Sequence, residues 1–134
     1  LLIDTIATLE EFGIFLQDTD RQALEKVWPG KVSVVFDCKG DQLAYLHRGT
    51  RTLAFRIPDD KDLRDLIQRT GPLLAPSANP EGQPPARTVL EAQQFFGDQV
   101  VVFVDGGYRE SPPSTVARLQ GGVWEVLREG AVIL

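Results

Sequence analysis

The apolar residues of this chain change their spacing at Trp28-Pro29-Gly30, and that change limits the folds open to it. Before the turn, Leu9, Phe12 and Leu16, then Ala23, Leu24, Val27 and Trp28, recur at threes and fours, the period of one helix face. Beyond it the period falls to two in "KVSVVFD", "LAYL" and "TLAFRI", which read as strands separated by "CKGDQ" and "HRGTR". Thr8-x-x-Glu11 is a capping-box pattern for the first helix, and Asp18 or Thr19 can cap the second, which "WPG" ends. "PDDKDLRDLIQRTG" predicts a helix capped by Asp59 or Asp60 with Leu63, Leu66 and Ile67 inward, followed by "PLLAPS" as a short buried strand. Thr88-x-x-Glu91 opens a further helix that turns Val89, Ala92 and Phe96 inward. "VVVFVD", apolar on both faces, reads as a central strand ended by a tight turn at Asp105-Gly106-Gly107. "STVARL" and "VWEVLRE" are the last strands, joined through Gly121-Gly122. The class is α/β (α+β), a twisted mixed sheet flanked by helices, in one domain over residues 1–134 without repeats or an interdomain linker.

A chain of 134 residues, 43% hydrophobic, can bury roughly two-thirds of its unfolded surface around one core. Fourteen Lys and Arg against 19 Asp and Glu leave a net charge of −5, so RNA binding would need a local basic patch. No run approaches the ~18 apolar residues of a membrane span, and "LLIDTIATLEEF" has neither a basic leader nor a small-residue cleavage site, which predicts a cytoplasmic protein with no membrane partner. Cys38 is the only cysteine; it has no disulfide or zinc partner and reads as a packed strand residue. The abrupt apolar start and the absence of methionine point to a beginning upstream of Leu1.

In "TLAFRIP", alternation sends Leu53, Phe55 and Ile57 to one face and Thr52, Ala54 and Arg56 to the other. An arginine on a covered sheet face needs an anion: Asp59, another carboxylate of the protein, or a ligand carboxylate or phosphate. Ser77 and Asn79 stand where a strand's carboxyl end meets a loop, a common position for ligand crevices, with Gly82 able to bring the loop close to a ligand. The same pair also serves simply to form a turn on its own backbone. Ser114 opens a strand where a hydroxyl can cap a loop or face a ligand, and Arg128, fourteen positions on, shares a strand face with Trp124 and Val126. There is no Gly-x-x-x-x-Gly-Lys loop, no Gly-x-Gly-x-x-Gly and no metal-ligand cluster; "PDDKD" reads as a solvated helix start and His47 as an exposed turn residue with no nucleophile to serve.

Taken in order, "WPGKVSVVF", "LAFRIPDD", "PLLAPSANPEGQPPARTVLEA", "VDGG", "PPSTVARL" and "VLREGAVI" resemble the YrdC-type threonylcarbamoyl-AMP synthases over nearly the whole chain. The resemblance implies condensation of L-threonine, bicarbonate and ATP into threonylcarbamoyl-AMP and pyrophosphate, toward threonylcarbamoyladenosine in tRNA, with tRNA-modification enzymes as partners. It implies that Thr52, Ser77, Asn79 and Arg128 hold ATP, that Arg56 and Ser114 hold L-threonine, and that Mg²⁺ is carried mainly by the phosphates. No residue is expected to form a covalent intermediate, and no metal ligand is expected. The family's Lys-x-Arg pair should precede Leu1, so the segment by itself is expected to be inactive or nearly so. Pro84-Pro85 stands where relatives often carry serine near ATP, and Glu129 where proline is common. The alternative is a noncatalytic RNA-binding or assembly module of the same fold.

Overall fold

Period-two alternation forms strands where a partner lies alongside. A computed structural model describes residues 1–38 and 40–134, in two compact units, Leu1–Leu74 with Pro112–Leu134, and Ala75–Ser111. In the larger unit β1 (Val32–Asp37), β2 (Thr52–Phe55), β3 (Thr115–Gln120) and β4 (Val123–Arg128) form a mixed sheet in the order β2-β1-β3-β4. β1 and β3 are parallel, and the outer pairs are antiparallel.

One face of this sheet carries the core. Val32, Val34, Phe36, Leu53, Phe55 and Leu119 pack with Ile3, Leu9, Leu24 and Trp28. Phe55 is fully buried between Phe12, edge-on at 4.9 Å between ring centroids, and Phe36 at 6.2 Å. The Trp28 indole N–H donates to the Val32 carbonyl (2.7 Å), so the ring is buried without an unpaired donor. Cys38, directly after β1, is buried as expected, and that burial pushes its thiol pKa up.

The helices follow their caps where a cap is made. α1 (Asp18–Glu25) buries Ala23 and Leu24. Asp60 caps α3 (Lys61–Thr70), accepting from the Leu63 N–H at 3.0 Å, and Ile67 is buried. Leu66 is exposed instead of inward, because a ten-residue helix resting on Ile67 with Leu63 half-covered turns its 66 position to solvent. Asp60→Ala should cost about 1 kcal/mol of stability, read as a lowered denaturation midpoint; an unchanged midpoint would show that the cap carries no net weight.

Beyond Leu66, and beyond α1, whose N-cap is Gln17 with no side-chain hydrogen bond and not Asp18 or Thr19, four more sequence expectations are corrected. The first helix is a 3₁₀ segment, Ile6–Phe12, opening at Thr5; Thr8 Oγ1 donates to Asp4 Oδ1 (2.8 Å) and is not the cap. "LAYL" is helical, as a 3₁₀ turn at Asp41–Leu43 and α2 (Ala44–His47), because Leu43 and Leu46, three apart, both pack on the core while Tyr45 is exposed. "PLLAPS" is reduced to one bridge between Leu2 and Leu73, with Leu74 exposed. His47 is buried, not an exposed turn residue: its Nδ1 accepts from the N–H groups of Gly49 (3.1 Å) and Arg51 (3.3 Å), which makes it the anchor of the turn into β2.

In the unit Ala75–Ser111, α4 (Val89–Phe96) is capped as expected by Thr88, whose Oγ1 accepts from the Glu91 N–H at 3.2 Å. The Glu91 carboxylate accepts in turn from the Arg87 N–H (2.7 Å). "VVVFVD" is not a strand: Val101, Val102 and Val104 are exposed and the segment joins no ladder. β propensity expresses packing against neighbouring strands, and the described residues of this unit supply none. The tight turn after it does form, with Gly107 N–H donating to Asp105 Oδ1 at 2.8 Å. Among the described residues no helix is long and apolar enough to cross a membrane.

Candidate functional site

The face of the sheet opposite the core carries Thr52, Ala54 and Arg56 from β2 and its extension, as the alternation predicts: Leu53, Phe55 and Ile57 are buried, whereas Thr52 and Arg56 are half-buried and Ala54 is exposed. Arg56 is fixed through its main chain. Its N–H donates to the Leu1 carbonyl and its own carbonyl accepts from the Ile3 N–H, both at 3.0 Å. β3 is placed likewise, with Thr115, Ala117 and Leu119 on the core side and Ser114, Val116 and Arg118 on the open one.

Arg128 reaches this open face through an irregularity. Trp124 pairs with Leu119 and Val126 with Ala117, both on the core side, but Arg128 pairs with Val116 because the register shifts between Val116 and Ala117. Two residues of β4 are spent against one of β3, a β-bulge, and every side chain beyond it changes face. Arg128 therefore does not share the face of Trp124 and Val126, as strict alternation predicts, but joins Ser114.

Ser114 then connects both arginines. Arg56 Nη1 donates to its hydroxyl oxygen at 3.0 Å, and Arg128 Nη2 donates to its main-chain carbonyl at 2.7 Å. Asp59, the carboxylate that sequence alone offers to Arg56, lies 3.9 Å from Arg64 instead. Among the described residues neither Arg56 nor Arg128 has a carboxylate within ion-pair distance. Arg56 is half-buried, and loss of hydration pushes its guanidinium pKa down without discharging it. Two guanidiniums held on one serine, with N–H groups to spare, form a receptor for carboxylate or phosphate oxygens.

Thr52 stands four residues before Arg56 on the same face, roughly 13 Å away along the strand. It lines a separate hollow of about 480 Å³ with Asp37, Cys38, Thr50, Arg51 and Arg118. Arg118 meets Asp37 there at 3.4 Å. Arg118 is absent from the sequence-based set, although the alternation in "STVARL" already puts it on Ser114's face.

In the other unit, Ser77 is exposed, and its carbonyl accepts from the Asn79 N–H at 3.0 Å. Asn79 spends one side-chain N–H on the Pro80 carbonyl (3.0 Å), as a turn-forming residue would, and keeps the second. Its Oδ1 is buried with no hydrogen-bond donor among the described residues. Ala86 N–H donates to the Ala78 carbonyl (2.9 Å) and closes the loop. Gly82 turns within it at φ 81°, a left-handed conformation that glycine adopts freely, and no heavy atom of the described residues lies within 4 Å of where its Cβ would stand.

The architecture is thus a mixed α/β sheet whose open face carries two arginines without carboxylate partners among the described residues. The chain belongs to the Sua5/YciO/YrdC family, whose model, described as telomere recombination, matches residues 1–130. A threonylcarbamoyl-AMP synthase of Klebsiella pneumoniae is 36% identical over 118 residues, covering 86% of this chain and 60% of its own length. One from Stutzerimonas stutzeri is 32% identical over 126 residues, covering 90% and 66%. The crystal structure of P. abyssi Sua5 complexed with L-threonine superposes with a TM-score of 0.83 at 26% identity, over 96% of this chain and 38% of that one. E. coli YciO, at 20% identity and a TM-score of 0.77, shares the fold. The chain thus spans about 60–66% of the length of these curated relatives.

Proposed function

We propose that the protein containing this chain makes threonylcarbamoyl-AMP. The observation that carries the reading is Ser114 holding both Arg56 and Arg128 while neither arginine has a carboxylate partner among the described residues. Arg56 and the Ser114 hydroxyl hold L-threonine, the guanidinium fork meeting its carboxylate. Thr52, Arg128, Ser77 and Asn79 hold ATP, Ser77 and Asn79 at the phosphates; the unpaired Asn79 Oδ1 suits a cation that shares that task.

The chemistry asks for placement more than for a nucleophile. The amine of threonine and bicarbonate give a carbamate and water; a carbamate oxygen then bonds to the α-phosphorus as the bond to the β-phosphate oxygen breaks, and pyrophosphate leaves. Such a transfer is accelerated by alignment and by neutralising charge on the phosphate oxygens, work that arginine and amide N–H groups perform. A Mg²⁺ ion accompanying ATP would be carried mainly by its phosphates. The product passes to a partner enzyme that transfers the threonylcarbamoyl group to adenosine in tRNA, a cytoplasmic task.

Full-length protein given bicarbonate and Mg-ATP should release pyrophosphate only when L-threonine is added, whereas residues 1–134 alone should release little or none. Threonine-independent release would refute the reading. Salt-sensitive RNA binding without threonine-dependent turnover would replace it with a noncatalytic RNA-binding or assembly module.

A further inference from the structure

Thr115 is the first residue of β3, 1% exposed, on the core side of the sheet. Valine would fill that place with the same branched shape and no polar group to satisfy, so the hydroxyl needs a reason to be there. It has two. Thr115 Oγ1 donates to the Val132 carbonyl at 2.6 Å and accepts from the Val132 N–H at 3.0 Å. One side chain thereby does what a neighbouring strand would do for the main chain of Val132. Beside it, Ala131 N–H donates to the Pro113 carbonyl at 2.9 Å. The segment leaving β4 is therefore tied to the entrance of β3, and Arg128 lies between the β-bulge on one side and this clasp on the other.

We infer that Thr115 is a positioning residue for nucleotide binding: its hydroxyl clasps Val132 and so keeps the Arg128 end of β4 over Ser114. This rests on the reading of Arg128 as an ATP contact. The threonine side does not depend on the clasp, because the main-chain N–H of Thr115 pairs with the Lys31 carbonyl (3.0 Å) and holds Ser114 beside Arg56 whatever the side chain. Thr115 touches neither substrate in this arrangement; it acts through Arg128.

The test uses the full-length protein. Thr115→Val should raise the KM for ATP about tenfold, the worth of two hydrogen bonds of ordinary strength, with kcat and the KM for threonine within about twofold of wild type. Thr115→Ser, which keeps the hydroxyl, should restore wild-type values. Amide hydrogen exchange at Ala131 and Val132 should quicken in Thr115→Val and not in Thr115→Ser, with β1 and β2 unchanged. If Thr115→Val does not fold, Thr115→Ala set against Thr115→Ser decides the same question. Equal rises in the two KM values, or a serine variant as impaired as the valine one, overturn the inference. Wild-type protein without threonine-dependent pyrophosphate release removes the functional reading and leaves the exchange measurement to judge the clasp; unchanged exchange in an active Thr115→Val enzyme removes the clasp and leaves the function standing.

Discussion

Arg56→Ala should raise the KM for L-threonine in the full-length protein by about 10- to 100-fold, the worth of a charge-assisted hydrogen-bonded pair with a carboxylate. The side chain is half-buried and its one hydrogen bond to the protein is to the Ser114 hydroxyl, so its remaining N–H groups have no other assignment among the described residues. Because no carboxylate among the described residues neutralises the guanidinium, removing it should leave no orphaned charge behind, and thermal stability should be nearly unchanged. That separates a binding defect from a folding one. Arg56→Lys keeps the charge but loses the planar fork, and its threonine KM should fall between the two. The KM for ATP should respond less, since Arg128 keeps its bond to the Ser114 carbonyl when Arg56 is gone. Pyrophosphate-release kinetics with each substrate varied in turn make the comparison; a threonine KM that does not move takes Arg56 out of the site.

The alternation of "TLAFRIP" was enough to place Arg56 on the open face, because a strand paired along its length obeys a strict period of two. The same rule misplaced Arg128, since a bulge costs one residue of register and leaves no mark in the apolar pattern of "VWEVLRE". Burial was misread where a short apolar run has two ways to be satisfied. "LAYL" packs its leucines from a helix, and "VVVFVD" has every local preference for a strand but no ladder to join among the described residues. His47 was hidden for another reason: its work is to accept two main-chain N–H groups, a contact that depends on how the turn folds back and not on the residues beside it. Of the candidate site, the arginine and serine identities were legible, and the hydrogen bonds through Ser114 were not.

Gly130→Ala should cost about 3 kcal/mol of stability, at the upper end of what overpacking a close-packed contact does, and should weaken threonine and ATP binding together. A Cβ at position 130 would lie 2.5 Å from the Thr115 nitrogen and 2.6 Å from the Ser114 carbonyl carbon, with the Pro113 carbonyl oxygen nearer still. All three are main-chain atoms, so no rotamer change relieves the overlap. Unlike loss of the Thr115 hydroxyl, the overlap presses on the main chain of Ser114 and Thr115 themselves, against the Thr115 N–H bond to Lys31 as well as the contact with the segment after β4, so Ser114 is shifted from both Arg56 and Arg128. This outcome differs in kind from Arg56→Ala, which spares stability, and from Thr115→Val, which spares threonine. Chemical denaturation and binding of each substrate by calorimetry on the full-length variant give the three readings. Wild-type stability with wild-type affinity for both ligands would mean that the two segments are not pressed together at Gly130 and that the contact there does not constrain Ser114.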